Sequence, residues 1–362
     1  MISSRRICLV PNLSGVGGMV SFRDKLAEGL AKRGVQTCSD LDELSYDAVL
    51  VIGGVRNIGK LWQARRRGIP VVQRLDGMNW IHRVKRTGLR HYLRAEYGNL
   101  LLSFIRSNLA TRVIYQSEFS RKWWERVRGR TKVPSQVIYN GVDLGRFSPD
   151  GKESRSSSHF RILLVEGNLG GGYEGGLQNA AGFVVNLSAQ SNAAYSQLQE
   201  MELELAVVGR VSHEIQDHWE RYVRRAKTGL PVRITWAGVV AHERIPEIDR
   251  SAHVLFSADL NAACPNAVIE AMACGTPVVS FATGALPELV QGEAGRVVPY
   301  GGNPWKLEQP DIAALSAAAL EILQDQPRFR AGARQRAEEA FGLDAMVEHY
   351  LAFLLDEPAV WR

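Results

Sequence analysis

Three loops in this 362-residue chain carry residue types that could do chemistry. The richest is Asn261–Val279, Asn-Ala-Ala-Cys-Pro-Asn-Ala-Val-Ile-Glu-Ala-Met-Ala-Cys-Gly-Thr-Pro-Val-Val. Pro265 suits the first turn of a helix and Gly275 its end, so Glu270 falls mid-helix among Val268, Ile269, Ala271, Met272 and Ala273. A lone buried carboxylate costs several kcal/mol, so Glu270 either lies on a solvated face or accepts hydrogen bonds from ligand hydroxyls. The apolar surroundings favour the ligand. The second loop, Gly167-Asn-Leu-Gly-Gly-Gly-Tyr-Glu-Gly-Gly176, holds six glycines in ten residues, too many for one turn. Its unhindered N–H groups, from Gly167 and Asn168 through Gly171, Gly172 and Tyr173, could form an anion-binding concavity; a merely flexible loop is the alternative. Gly170, Gly172 and Gly175 fit G-x-G-x-x-G, but the acidic residue of a dinucleotide site is missing about 20 positions on. In the third loop, Ser14–Met19, Gly17 and Gly18 let a phosphate or sugar approach a helix N-terminus, or simply form a tight turn. Asp76, in Arg74-Leu-Asp-Gly-Met-Asn79, is either a base or a turn cap.

Such loops need elements to hold them. Short β-branched runs alternate with helical patterns along the chain, the signature of parallel sheets wrapped by helices. Strands are expected at Arg6–Val10, Ala48–Ile52, Val71–Leu75, Arg112–Gln116 and Gln136–Tyr139. In the second half they are expected at Arg161–Val165, Leu203–Val208, Arg233–Trp236, Val254–Ser257, Pro277–Phe281 and Arg296–Val298. The first helix carries Phe22, Leu26 and Leu30 on one face, and Gly34 is placed to cap it. A polar, Ser-rich stretch at 151–159 separates a first domain, 1–150, from a second, 160–340. The reading is an α/β chain with two Rossmann-like domains facing a central cleft. Ligands in such sheets sit at the carboxyl ends of the strands, where the three loops fall.

Composition bounds the function. With 45% hydrophobic and 23% charged residues the chain is globular, not low-complexity, collagenous or coiled-coil. No apolar run approaches the ~20 residues that span a bilayer, and the N-terminus shows no export signal, so a cytoplasmic protein is expected. Cys8, Cys38, Cys264 and Cys274 form no C-x-x-C pair, which argues for reduced thiols and no zinc. The net charge of +6 hides a split: residues 1–150 hold 26 Lys+Arg against 12 Asp+Glu, residues 151–362 hold 18 against 26. Between His82 and Lys132 there are 13 basic residues and 3 acids, with Trp80, Trp123 and Trp124 interleaved. That region reads as a solvated face, as a peripheral contact with an anionic membrane, or as a receiver for an acidic acceptor. No groove-reading or stacking motif accompanies the charge, so nucleic acid is not expected.

The segment Pro265–Val279 resembles the nucleotide-sugar signature of family 4 glycosyltransferases, retaining enzymes of the GT-B fold. Other landmarks fall in the family's order: the Gly17-Gly18 loop, Val137-Ile-Tyr-Asn-Gly-Val-Asp-Leu144, Trp236-Ala-Gly-Val239, Gly284-Ala-Leu-Pro-Glu288 and Gly295-Arg-Val-Val-Pro299. The closing segment 341–362 resembles the helix that crosses back onto the first domain. The resemblance implies a nucleotide-sugar donor (UDP- or GDP-sugar foremost), a glycan, lipid-linked or anionic acceptor, and neither cofactor nor metal. It further implies that Glu270 accepts from the donor's ribose hydroxyls, with Cys264, Pro265 and Asn266 beside it. Gly238 and Val239 would contact the base through the backbone, Gly17 and Gly18 would face the phosphates or acceptor, and Glu288 would support the donor loop.

The chain departs from the family at several of these positions. The first of the two Glu usually separated by seven residues is Ala262 here, leaving Asp259 or Asn266 to substitute. The usual Arg and Lys beside the diphosphate fall on Asn168 and Tyr173; each lost bond to a charged phosphate is worth roughly 1.5–3 kcal/mol. Arg210, in Val-Val-Gly-Arg, and the glycine-rich loop are the candidates to offset the loss. Asp76 stands where relatives often have a sugar-contacting His. The rivals are a degenerate, non-catalytic relative and an NADP-dependent oxidoreductase, the latter disfavoured because Arg210 lies too far along the chain for one βαβ unit.

Overall fold

The computed structural model describes residues 5–15, 17–43, 45–153, 155–169, 175–194, 202–226 and 229–355. They form two units, one of Met1–Gly141 with Phe341–Arg362 and one of Val142–Ala340. The first runs β1 (Arg6–Val10), α1 (Gly18–Lys32), β2 (Gln36–Cys38), β3 (Ala48–Ile52), α2 (Ile58–Arg66), β4 (Val71–Leu75), α3 (Leu89–Phe104), β5 (Arg112–Tyr115), α4 (Glu118–Arg128) and β6 (Ser135–Val137). The second begins with β7 (His159–Asn168), α5 (Gly175–Ala194), β8 (Glu202–Arg210), α6 (His213–Arg225), β9 (Val232–Gly238), α7 (Ile245–Ser251) and β10 (Val254–Ser257). It continues with α8 (Asn266–Ala273), β11 (Val278–Phe281), α9 (Leu286–Leu289), β12 (Gly295–Val298), α10 (Ile312–Gln324) and α11 (Gln326–Ala340). The last helix, α12 (Leu343–Leu355), belongs to the first unit.

Each unit is a six-stranded parallel sheet, ordered β2-β1-β3-β4-β5-β6 in the first and β12-β11-β10-β7-β8-β9 in the second. Strands β3 and β4 are buried along their whole length, as a sheet covered on both faces requires. The sequence pattern missed β2: it is three residues long with two exposed, and pairing to β1 rather than hydrophobicity holds it. Gly34 closes α1 at φ 73°, with Val35 N–H donating to Leu30 and Gly34 N–H to Ala31. Met346, Val347, Tyr350 and Leu354 of α12 join Phe22, Leu26 and Leu30 in one core. Arg74 reaches from β4 into that core, where its Nε donates to Tyr350 (3.1 Å) and its Nη2 to Asn140 (2.7 Å).

The stretch between the halves is not a free tether. From Val142 onward it packs on the second unit: Phe147 is buried, and Arg334 donates to the Phe147 and Ala273 carbonyls at 2.8 Å. Arg250 pairs with Glu153 at 2.8 Å. All four cysteines are buried and free. Among the described residues, no helix is long and apolar enough to cross a membrane.

The basic region 82–132 differs from its aromatic reading. Trp123 and Trp124 turn inward on amphipathic α4, leaving its charges outside, so they serve the core and not a surface. Trp124 Nε1 donates to the Asp76 carbonyl at 2.7 Å. Most of the region's exposed large apolar groups sit on α3 instead, among them Leu89, Leu93, Tyr97, Leu100 and Phe104, between 44% and 74% exposed. At 100° per residue these five fall within about 80° of arc. On α3 itself, at the edge of that stripe, hydrogen bonds from Arg83 and His82 hold the Glu96 carboxyl down at about 2.

Candidate functional site

In the second unit the strand order reverses between β7 and β10, the place where doubly wound sheets open a crevice beyond their carboxyl ends. Most of the donor-site residues expected from sequence are brought to that edge. Gly167 is exposed and Asn168 ends β7 in register with Arg210, which ends β8 and is also exposed. Leu169 N–H donates to the Arg210 carbonyl at 3.0 Å, tying the two loops together. Gly238 ends β9 at φ 65°, and Val239 beyond it is 64% exposed. Cys264, buried, and Pro265 lead into α8, whose first residue is Asn266. Gly170, Gly171, Gly172 and Tyr173 lie outside the described residues.

Close backbone approach shapes this edge. The register between β7 and β8 shifts between Val165 and Asn168. There a Cβ on Gly209, at φ 142°, would stand 1.9 Å from the Glu166 carbonyl oxygen. Only glycine permits that crossing, and it sets where Asn168 and Arg210 emerge. On the α8 side, Gly275 adopts φ 68° and the N–H of Thr276 donates to Ala271, ending the helix as the sequence suggested.

Glu270 is buried, 6% exposed, on α8. Its partner was not foreseen. His242, in a 3-10 turn just past Val239, places Nε2 3.2 Å from Glu270 Oε1. Arg146 Nη2 donates to His242 Nδ1 at 3.2 Å, so the imidazole accepts there and donates its Nε2–H to Glu270. Phe147 packs on the ring at 5.6 Å between centroids. The signal available in the sequence was a His on a loop directly after a strand. Beneath lies Asp249, 1% exposed, with no hydrogen-bond partner for Oδ2 among the described residues. Burial foremost, then the Glu270 charge, pushes the Asp249 carboxyl well above its usual range.

A second carboxyl also escaped the sequence reading. Glu166, beside Gly167, is raised well above the carboxylate range by burial and by the charge of Asp259. Glu288 is part-buried on α9, and its carbonyl accepts from Arg336 at 2.8 Å. Gly284, at φ 59°, packs against the Ala262 backbone, and Ala285 N–H donates to the Ala262 carbonyl at 2.8 Å.

The remaining expected residues belong to the first unit. Gly17, at φ 149°, precedes α1 and Gly18 opens it, both exposed. Asp76 follows β4; its carbonyl is held by Trp124 and by Ser120 Oγ at 2.8 Å. Burial raises the Asp76 carboxyl, with Arg74 opposing, so its pKa moves toward that of a useful base. Among the described residues, no group of three His, Cys, Asp or Glu could hold a metal ion.

Known proteins share both the fold and part of the sequence. Residues 175–325 match the family model described as glycosyl transferases group 1. A 2-deoxystreptamine N-acetyl-D-glucosaminyltransferase of Streptomyces fradiae is 29% identical over 34% of this chain, but the match spans only 28% of that protein. D-inositol 3-phosphate glycosyltransferase 1 of Catenulispora acidiphila is 24% identical over 80% of this chain and 67% of its own length. Among solved structures, sucrose-phosphate synthase of Thermosynechococcus elongatus superposes with TM-score 0.66 at 18% identity, covering 96% of this chain and 98% of its own. Anabaena HepE in complex with UDP and glucose gives 0.66 at 16%, covering 97% and 100%.

Proposed function

We propose that the chain, whose residues 175–325 match the group 1 glycosyl transferase model and whose fold is that of GT-B proteins, moves a sugar from a nucleotide-sugar donor to a glycan or lipid-linked acceptor. The transfer retains the anomeric configuration and uses no dedicated metal. The observation that carries this reading is Glu270, a carboxylate shielded from water, oriented by neutral His242 and set at the carboxyl edge of the sheet. It accepts from the two ribose hydroxyls of the donor, while the Gly238–Val239 backbone lies by the base. Arg210 and the N–H groups from Gly167 onward stabilise the diphosphate as it departs, replacing the basic pair lost at Asn168 and Tyr173. Asp76 polarises the acceptor hydroxyl, and Glu288 steadies the donor loop. HepE, in complex with UDP and glucose, supports a nucleoside diphosphate sugar as the donor class.

Arg210→Gln tests the phosphate grip. It is expected to weaken a nucleoside diphosphate about 10-fold or more, while the matching nucleoside changes little. Equal losses for both, by calorimetric titration, would place Arg210 away from the phosphates.

The acceptor is held at an anionic membrane surface by the first unit, where the exposed α3 stripe runs beside Arg90 and Arg94. Burying apolar side chains stabilises the contact, and each nearby basic group adds about 1 kcal/mol. Leu93→Gln with Leu100→Gln is expected to reduce sedimentation with phosphatidylglycerol vesicles at least about 10-fold. Unchanged sedimentation would contradict this assignment.

A further inference from the structure

The second unit has a cavity at the opposite edge of its sheet from Glu270. Here Phe160 at the start of β7 and His253, just before β10, meet Pro149, Ser156, Ser157 and the start of α11 around about 510 Å³. Three guanidinium groups line it. Arg250 is neutralised by Glu153, at 2.8 Å. Among the described residues, Arg155 donates only to neutral acceptors, the Ala252 carbonyl, the Gly275 carbonyl (3.3 Å) and Thr276 Oγ1 (3.4 Å). Arg330 has no hydrogen-bond or ion partner among the described residues, and partial burial lowers its pKa, as expected for a cation without a counter-charge. His253 supplies no charge at neutral pH: burial first, then nearby His159 and Arg161, keep its pKa at about 4, and its Nδ1 accepts the Arg161 N–H at 3.0 Å.

Two positive charges therefore face the cavity with no carboxylate to balance them. A guanidinium presents paired N–H donors that match phosphate oxygens, and a partly desolvated charge left unpaired is costly. The wall also holds an acceptor: Gln326 Nε2 donates to Ile322 at 3.0 Å, whereas its buried Oε1 has no partner among the described residues. An acceptor beside two cations suits a hydroxyl on the same ligand.

We propose that this cavity binds a phosphate group, either free phosphate or the phosphomonoester of a small polyol, through Arg155 and Arg330, with Gln326 accepting from a hydroxyl. The site is separate from the donor site, and its failure would leave that reading untouched.

Calorimetric titration in phosphate-free buffer, with orthophosphate and with glycerol 3-phosphate, tests it on wild type, Arg330→Gln and Arg210→Gln. Saturable binding is expected to fall about 10-fold or more in Arg330→Gln and to stay within about twofold in Arg210→Gln. Arg330→Gln should melt no lower than wild type in phosphate-free buffer, since it removes an unpaired cation; a purely structural arginine would melt lower when replaced. Gln326→Leu separates the sources: a loss confined to glycerol 3-phosphate marks the phosphomonoester, and equal retention of both ligands marks free phosphate. No saturable binding of either ligand up to about 10 mM would overturn the proposal. So would binding that survives Arg330→Gln, or that falls equally in Arg210→Gln.

Discussion

Glu270→Ala is expected to lower affinity for a nucleoside diphosphate by about 10²–10⁴-fold, the effect of losing two hydrogen bonds to a charged acceptor at roughly 1.5–3 kcal/mol each. The matching nucleoside should weaken by a similar factor, because the lost contacts are to ribose. That distinguishes Glu270 from Arg210, whose loss is confined to the phosphates. Unfolding would mimic the result, so the melting temperature must be read alongside. The Glu270 charge is one cause of the raised Asp249 pKa, and its removal relieves that repulsion. The variant is therefore expected to melt within about 4 °C of wild type. Glu270→Gln keeps the shape and should bind at an intermediate level. A folded Glu270→Ala protein with unchanged nucleoside diphosphate affinity would remove Glu270 from the site.

Gly209→Ala is expected to be the most damaging single-methyl change at the site. The added Cβ would meet the Glu166 carbonyl oxygen at 1.9 Å, and its backbone would have to hold φ 142°. The obstacle is main chain inside a paired strand, not the end of a side chain that can swing away. Either the β7–β8 ends separate or the strain persists, at about 3–5 kcal/mol. Separation would move Asn168 and Arg210 together, so donor binding should fall with stability. Gly167→Ala is the control: its Cβ would meet nothing within 4 Å, and a small effect is expected. Urea denaturation reads both. A Gly209→Ala protein within about 1 kcal/mol of wild type would mean that the crossing is not tight.

Much of the scaffold was legible because it rests on hydrophobic pattern. Val254–Ser257 is a buried, mostly apolar run, Val71–Leu75 is buried throughout although it carries Gln73 and Arg74, and the bounds of both agree with the structure. Strand β2 was not legible, because Gln36-Thr37-Cys38 owes its form to a neighbour. Trp123 and Trp124 show the limit of counting: beside basic residues they look like surface aromatics, yet helical phase turns them inward. Glu270 stood out as a charge in an apolar helix. His242, Asp249 and Glu166 did not, since each acquires its character from groups distant in the chain. The segment after Val142 reads as tether in its Ser-rich part, and its contacts, among them those through Arg250 and Arg334, assign it to the second unit.

The central claim is that the second unit recognises a nucleoside diphosphate sugar. Thermal unfolding of the intact chain with UDP-, GDP-, ADP- and TDP-sugars, each also run on Glu270→Ala, tests it most directly. A ligand at 100 times its dissociation constant adds about 2.7 kcal/mol. At least one of the four is predicted to raise the melting temperature of wild type by several degrees and to leave Glu270→Ala unmoved. Stabilisation by none of them, or by NADPH in their place, would contradict the account.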